Sequence, residues 1–493
     1  MPTDSDNPAP AGSLRERLAA CDFAQRPALE ASLTAAWSDI QWRADRCTPS
    51  SILCFQRFDD GRPDAELIER YLLNSAFGAL VVNRPLQGLE RLGERPVFVT
   101  APGSWHQTLK RLCDHFYPLG PGDWQIAGVT GTNGKTTTVK YCEAILLAAG
   151  RRVLSIGTLG LSLNGQPVAE TGFTSPPYIE LRRILSAYRG RAETLVMEIS
   201  SHALDQGRVY GLPLDAAAWT NFSQDHLDYH GDEASYFAAK ARILELLKTG
   251  VPLLTSSAEV ADRLRARFGP GAPVGRLEVP ELPAAVLAER PFLRLGYNRE
   301  NYALAKALAT RLLGTEPAEP WRRLQPVDGR FDCHVYRNRT IVIDFAHTPD
   351  ALANILGAIR AGFPAARVLT LFGCGGDRDP AKRPLMGAAV CRDADHVILT
   401  SDNPRYEDPQ AIIDDTLRGM TACRTPPQVV PDRSEAVRAL FDLLTSRPME
   451  EPWVALIAGK GHERYIDQDG VKRPYSDQEE VARNLQRLGW SDE

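Results

Sequence analysis

Short apolar runs of strand length alternate along this chain with stretches whose apolar residues recur every three or four positions, which is the alternation of an α/β protein. Residues 52–55, 79–82 and 97–99 form the first such series, closing near the glycine- and proline-rich turn at 119–122. They predict a small α/β domain. A second series has strand candidates at 124–129, 153–156 and 194–199 and ends at the proline-rich passage 314–326. Beyond it, residues 340–344, 368–372, 396–400 and 454–458 are near-continuous apolar runs separated by helical patterns. Continuous runs of that length predict parallel strands covered on both faces, hence a doubly wound sheet. The expected domains are 1–120, 121–325 and 326–493.

Composition changes this picture little. Hydrophobic residues make up 43% and charged residues 24%, and the formal net charge of −5 offers no general footprint for nucleic acid. Nine cysteines, an odd number without CxxC spacing, fit reduced thiols in a cytoplasm better than a disulfide framework. Residues 1–13 have no apolar core, so neither a signal peptide nor an anchor is expected, and no run reaches membrane-spanning length. These features predict a cytoplasmic protein; a monomer working on small molecules, with no nucleic-acid partner, is the expectation.

The chemistry begins at Gly128-Val129-Thr130-Gly131-Thr132-Asn133-Gly134-Lys135-Thr136-Thr137-Thr138. A strand candidate precedes this stretch and a helical pattern follows it. Glycines there let backbone N–H groups approach phosphate oxygens, Lys135 can reach the outer phosphates, and the hydroxyl of Thr136 or Thr137 can ligate magnesium. The reading is ATP with Mg²⁺. Val129 stands where the first glycine of the generic phosphate-loop pattern belongs. Glu198 ends the strand candidate at 194–199, where open α/β sheets hold their ligands, and its carboxylate could complete magnesium coordination.

Thr-Gly-Thr-Asn-Gly-Lys-Thr-Thr resembles the ATP loop of the Mur ligases, which form amide bonds in peptidoglycan precursor synthesis. Met197-Glu198-Ile199-Ser200-Ser201-His202-Ala203-Leu204-Asp205-Gln206-Gly207-Arg208 resembles the branch of that family that adds the third amino acid. The likeness continues through Thr220-Asn221-Phe222-Ser223-Gln224-Asp225-His226-Leu227-Asp228-Tyr229-His230-Gly231, Tyr236-Phe237-Ala238-Ala239-Lys240, Asp344-Phe345-Ala346-His347, Gly375-Gly376-Asp377-Arg378, Asp402-Asn403-Pro404-Arg405 and Gly459-Lys460-Gly461-His462-Glu463. The resemblance implies a three-domain architecture, with a central P-loop ATPase-like domain and a C-terminal Rossmann-like domain. In such enzymes ATP phosphorylates a carboxylate, and an amine then attacks the acyl phosphate.

The resemblance assigns Lys135, Glu198, His226 and Lys240 to catalysis. It gives ATP the loop residues Gly131, Thr132, Asn133, Gly134, Lys135, Thr136 and Thr137, together with Asn298, Asn301, Arg330, Asp344 and His347. Thr136, Glu198 and His226 match the family's magnesium neighbourhood. Lys240 matches a lysine carboxylated by CO₂, whose carbamate would help hold a second Mg²⁺. Thr174, Ser175, Ser200, Gln206 and Arg208 match positions that hold the muramoyl-dipeptide, with Arg208 as the bidentate anchor. Arg378, Asp402, Asn403, Arg405, Gly459 and Glu463 would meet the amino acid. The Asp-Asn-Pro-Arg form implies meso-diaminopimelate, because its second carboxylate gives Arg405 and Arg378 a partner that lysine lacks.

The first domain departs from the family pattern. Where relatives carry Asp-Ser-Arg and Asp-Gly-His elements for the uridine nucleotide, this chain reads Ala44-Asp45-Arg46-Cys47-Thr48-Pro49-Ser50-Ser51 and Phe58-Asp59-Asp60-Gly61-Arg62-Pro63-Asp64. Three readings follow. The uridine site is rebuilt from other residues, or the enzyme joins a different carboxylate to an amino acid, or the chain is a non-catalytic nucleotide-binding partner of the cell-wall machinery.

Overall fold

The computed structural model describes residues 13–25, 37–58, 61–327, 329 and 331–490. Arg330 lies outside the described residues. The chain packs as two compact units, Met1–Lys135 with Cys142–Leu277 and Leu304–Ala318, and Thr136–Tyr141 with Glu278–Ala303 and Glu319–Glu493.

The first unit holds two sheets. Its five-stranded sheet runs in the order Phe23–Gln25, Val97–Thr100, Ala79–Val82, Ser51–Phe55, Asp39–Gln41, parallel except for the first pair. Ala79–Val82 is buried along its whole length, which explains its unbroken apolar sequence. The helix Trp105–Phe116 covers one face, and Tyr178 and Ile179 from the helix Tyr178–Tyr188 complete the same core. Arg182 pairs with Asp114 at 2.8 Å, and Arg183 donates to the Tyr117 hydroxyl at 3.0 Å. These contacts bind the first sheet's helix to the next layer.

The eight-stranded sheet runs Val274–Arg276, Leu253–Thr255, Ala216–Trp219, Gln125–Thr130, Thr194–Glu198, Val153–Gly157, Gly160–Leu163, Gln166–Ala169. The first six strands are parallel, and the last two form an antiparallel extension. Register aligns Glu198 with Val129 and Trp219 with Thr130. The carboxyl ends of three neighbouring strands therefore deliver Glu198, Gly131 and Thr220 to one edge, where doubly wound sheets bind ligands.

The second unit is built on a six-stranded sheet in the order Asp332–Tyr336, Arg339–Asp344, Trp453–Ala458, Arg367–Phe372, His396–Leu399, Gln428–Val429. Only its first strand is antiparallel to its neighbour. Asp344 is in register with Ala458, and Phe372 with Leu399. The segments that follow all leave from one edge.

The four apolar runs of residues 340–458 are thus strands of one sheet, as the sequence predicts. Three features escape that pattern. The extension Gly160–Leu163 and Gln166–Ala169, the edge strand Asp332–Tyr336 and the hairpin Tyr465–Gln468/Val471–Pro474 are largely polar or half-exposed, so no apolar run announces them. The expectation of reduced thiols rather than a disulfide framework is amended at one pair. Cys391 and Cys423 are joined in a disulfide, and seven cysteines are free. Their separation of 32 residues has no local signature, because it is the fold that brings the helix Lys382–Asp393 beside the later loop.

Candidate functional site

The loop after Gln125–Thr130 is shaped by glycines and held from the next strand. Gly131 has φ +139°, and a Cβ there would overlap the Thr220 hydroxyl. Gly134 (φ +80°) opens the helix Lys135–Ala148 in the left-handed region that glycine tolerates. Asn221 accepts from the Thr132 N–H through its carbonyl at 3.0 Å and from the Asn133 N–H through Oδ1 at 2.9 Å. The Thr220 hydroxyl donates to the Asn133 carbonyl at 2.5 Å. Lys135 Nζ donates to the carbonyls of Gly131 (3.0 Å) and Thr132 (2.8 Å). Its ammonium is therefore held over its own loop. Thr136 and Thr137, next along the helix, are buried.

Lys240, which the resemblance singles out, is the most deeply buried cation of this edge. It is 1% exposed, and its Nζ donates to the Gly131 carbonyl at 2.7 Å while lying 4.6 Å from the Tyr236 ring centre. Burial, reinforced by the nearby Lys135 charge and only partly opposed by Asp225, holds its amine well below the ordinary lysine range. A neutral amine is the form that can add CO₂, so the environment suits a carbamate. Glu198, also 1% exposed, accepts from the Thr158 N–H at 2.8 Å and the Thr158 hydroxyl at 3.3 Å. His226 adopts φ +52°, and its half-exposed ring lies 5.0 Å from that of His202. Among the described residues no group of three or more His, Cys, Asp or Glu side chains converges as a metal cage. The donors present fit Mg²⁺ all the same, because this ion keeps waters and takes substrate phosphates beside one or two carboxylates. An imidazole nitrogen suits it less well than oxygen.

The five residues expected to hold the carboxylate substrate are brought together. Thr174 Oγ1 lies 3.1 Å from Thr158 Oγ1, the hydroxyl that also meets Glu198. Ser175 donates to the Glu198 carbonyl at 2.9 Å and accepts from the Ser200 N–H at 3.0 Å. Ser200 caps the helix Ser201–Asp205, accepting from the Ala203 N–H at 3.1 Å. Arg208 donates through Nη1 to the Ser175 carbonyl (3.0 Å), and through Nε (2.9 Å) and Nη2 (2.6 Å) to Gln206 Oε1. Gln206 Nε2 in turn donates to the Tyr229 hydroxyl at 3.1 Å. Among the described residues every acceptor around the guanidinium is neutral. Desolvation pulls its pKa below the usual arginine value, and three of five N–H groups are used. One N–H on each terminal nitrogen is left, which is the fork that a carboxylate fits.

In the second unit, the loops after the sheet gather most residues expected to meet the amino acid. Asn403 Oδ1 accepts from Lys460 Nζ (2.9 Å) and the Asp467 N–H (2.9 Å), so its Nδ2 faces Glu463 Oε2 at 2.8 Å. Lys460 is fully buried and lies 3.4 Å from Asp402. Gly459 (φ +118°) backs onto the Asp402 carboxylate so closely that a Cβ would collide with it. Arg405 (φ +52°) is pinned by the hairpin, donating its N–H to the Asp467 carbonyl at 2.9 Å and accepting at its own carbonyl from Asp469 N–H at 2.7 Å. Its Nη1 donates to the Gly376 carbonyl. The arginines are less buried than a closed pocket needs: Arg405 is half-buried and Arg378 exposed.

The expected nucleotide-side residues are more dispersed. Asn298 and Asn301 are buried, with Asn298 Nδ2 donating to the Phe292 carbonyl at 3.0 Å and Asn301 Oδ1 accepting from the Thr138 hydroxyl at 3.3 Å. Asp344 accepts from the Phe331 and Ala346 N–H groups, both at 2.8 Å, and His347 is exposed. Sequence reasoning missed Thr158 and gave no role to Thr220, Asn221 and Lys460, which stood inside recognised blocks. Only its burial marks Lys460 as the group that orients Asn403.

Comparison with known proteins identifies the family of the chain. The profile of the Mur ligase middle domain matches residues 129–270, and that of the Mur ligase glutamate ligase domain matches residues 329–461. The UDP-N-acetylmuramoyl-L-alanyl-D-glutamate–2,6-diaminopimelate ligase of Aquifex aeolicus is 34% identical over 83% of this chain and 85% of its own length. A solved structure of a ligase of that name superposes with a TM-score of 0.60 at 27% identity, covering 92% of this chain and 96% of the other. The MurF ligase of Thermotoga maritima, solved with ADP, shares the fold at a TM-score of 0.53 and 18% identity, over 86% of this chain and 94% of its own. The chain belongs to the Mur ligase family, with its three-domain α/β architecture and its ATP-dependent acid–amino-acid ligase activity.

Proposed function

We propose that this ligase adds meso-diaminopimelate to the D-glutamate carboxylate of UDP-N-acetylmuramoyl-L-alanyl-D-glutamate. The observation that carries the reading is Arg208, a desolvated guanidinium with neutral partners and one N–H left on each terminal nitrogen, beside the Glu198 edge of the phosphate loop. A substrate carboxylate seated there attacks the γ-phosphorus of ATP, giving an acyl phosphate and ADP. The amine of diaminopimelate then attacks the acyl carbon, losing a proton as the amide forms and phosphate leaves. Lys135 and the loop N–H groups stabilise the charge of the transferring group. Bound Mg²⁺ would supply further charge neutralisation on the phosphates, held by Thr136, Glu198 and the carbamate form of Lys240, with His226 at the margin.

For the amine, Arg405 and Arg378 pair with the distal carboxylate, while Asn403, Asp402, Gly459 and Glu463 meet its ammonium and remaining polar atoms. Asn298, Asn301, Arg330, Asp344 and His347 serve the nucleotide side. We assign the domains to 1–120, 121–325 and 326–493, and the protein to the cytoplasm as a monomer. Among the described residues no helix is long and apolar enough to cross a membrane.

The test is ADP release with the UDP-linked dipeptide, offering diaminopimelate and lysine in parallel. Turnover with diaminopimelate alone supports the assignment. No turnover with either amine overturns it, and preference for lysine overturns the role of Arg405. A second reading, an acceptor without the uridine handle, is favoured by the first domain, which reads Ala44-Asp45-Arg46-Cys47-Thr48-Pro49-Ser50-Ser51 and Phe58-Asp59-Asp60-Gly61-Arg62-Pro63-Asp64 where relatives carry their uridine elements. Equal kcat/KM for a truncated acceptor lacking UDP would support that alternative.

A further inference from the structure

The carboxylate-binding pair Gln206 and Arg208 has a support that comes from the first domain's helix. His106, in the first turn of Trp105–Phe116, brings Nε2 to 3.0 Å from the Gln206 carbonyl. Its ring stacks on Tyr210, with centres 5.4 Å apart and planes 25° from parallel. Between these contacts the chain makes room at one residue. Gly207 has φ +65°, and a Cβ there would collide with the Nε2, Cδ2 and Cε1 atoms of His106. Glycine is thus required twice at this position, for its backbone angle and for the close approach of the ring.

We propose that His106 is a positioning residue for the carboxylate substrate, setting the turn Gln206–Tyr210 so that Gln206 holds the Arg208 fork in its binding orientation. The inference rests on the function proposed above. A carbonyl can only accept, so Nε2 carries the proton that binds it. Burial pushes the His106 pKa down, so the ring does this as a neutral imidazole. Fixing the Gln206 backbone fixes the origin of a side chain whose Oε1 takes two bonds from Arg208. Tyr210, 39% exposed, supplies the second wall. The helix carrying His106 is tied down independently, since Arg182 binds both Asp114 (2.8 Å) and the Tyr117 carbonyl (2.8 Å). The first domain therefore contributes to carboxylate recognition through this contact, irrespective of what it binds itself.

The experiment compares the parent enzyme with His106→Ala, His106→Gln and Gly207→Ala, measuring KM for the UDP-linked dipeptide, for ATP and for diaminopimelate, together with kcat and thermal unfolding. His106→Ala should raise the acceptor KM about tenfold, the range of one net hydrogen bond, with both other KM values unchanged. His106→Gln, whose amide nitrogen falls near the imidazole Nε2, should recover most of that loss. Gly207→Ala should raise the acceptor KM similarly, and the double variant His106→Ala/Gly207→Ala should fall short of the product of the two effects. An unchanged acceptor KM in folded His106→Ala overturns the proposal, as does an equal rise in all three KM values. Failure of the parent enzyme to turn over this acceptor would instead overturn the function proposed above. In that case binding of a free glutamyl dipeptide to parent and His106→Ala, by calorimetry, tests the positioning role: equal affinities overturn it and weaker binding to the variant supports it.

Discussion

Replacing Arg208 by Met should separate stability from recognition. The guanidinium makes three hydrogen bonds, one to the Ser175 carbonyl and two to Gln206 Oε1, yet among the described residues no carboxylate pairs with it. Its burial is unfavourable enough to lower its pKa. Losing the hydrogen bonds costs about 1 kcal/mol each, while removing a poorly compensated buried cation returns a comparable amount. The folded enzyme should therefore change by no more than about 1–2 kcal/mol, because the methionine chain retraces the arginine stem and keeps its packing. The substrate carboxylate, by contrast, loses two charge-assisted bonds worth about 3–6 kcal/mol together, or about 10²- to 10⁴-fold in affinity. Arg208→Lys keeps the charge but not the fork and should fall between the two. Calorimetric titration with the UDP-linked dipeptide, alongside thermal unfolding of each variant, measures both sides. Binding by Arg208→Met within threefold of the parent would refute the anchoring role. A large drop in stability would refute the claim that the guanidinium serves substrate binding more than folding.

Lys240→Ala should lower kcat by about 10²–10³-fold, the scale of removing one preorganised charge-stabilising group. High bicarbonate should not restore activity and short carboxylic acids should do so in part; near-parental activity would refute the carbamate role. Arg405→Ala should raise KM for diaminopimelate about 10- to 100-fold without making ATP bind less well, and steady-state kinetics with each substrate varied would expose a uniform loss instead. Arg433 and Asp477 form a fully buried pair, with Nη2 to Oδ2 at 2.8 Å, and Arg433 also holds the Ala458 carbonyl just before Gly459. The guanidinium's pKa is raised by its Asp477 partner against desolvation. Asp477→Asn should cost the second unit about 3–5 kcal/mol, read as an earlier urea transition. Thiol titration of the unfolded chain without reductant should count seven free cysteines, and a count of nine would refute the Cys391–Cys423 bond.

The sequence by itself determined the α/β class and the doubly wound third sheet, because strands covered on both faces must be apolar throughout and the code for that is local. It also located the phosphate loop, whose glycines answer to backbone angles at Gly131 and Gly134 rather than to distant contacts. The family blocks gave it the residues around Glu198 and Asn403. Only the tertiary structure decided what those residues do to one another. Nothing in Tyr-Phe-Ala-Ala-Lys says that Lys240 is buried against the Gly131 carbonyl, since a helix lysine looks the same whether it faces solvent or core. Thr158, Lys460 and His106 were silent for the same reason: each acts on a residue 40, 57 or 100 positions away. The disulfide, 32 residues across, is of the same kind. Local backbone demands leave their mark on composition, but the environment that lowers an amine's pKa or orients an amide is made by packing and exists only in the folded chain.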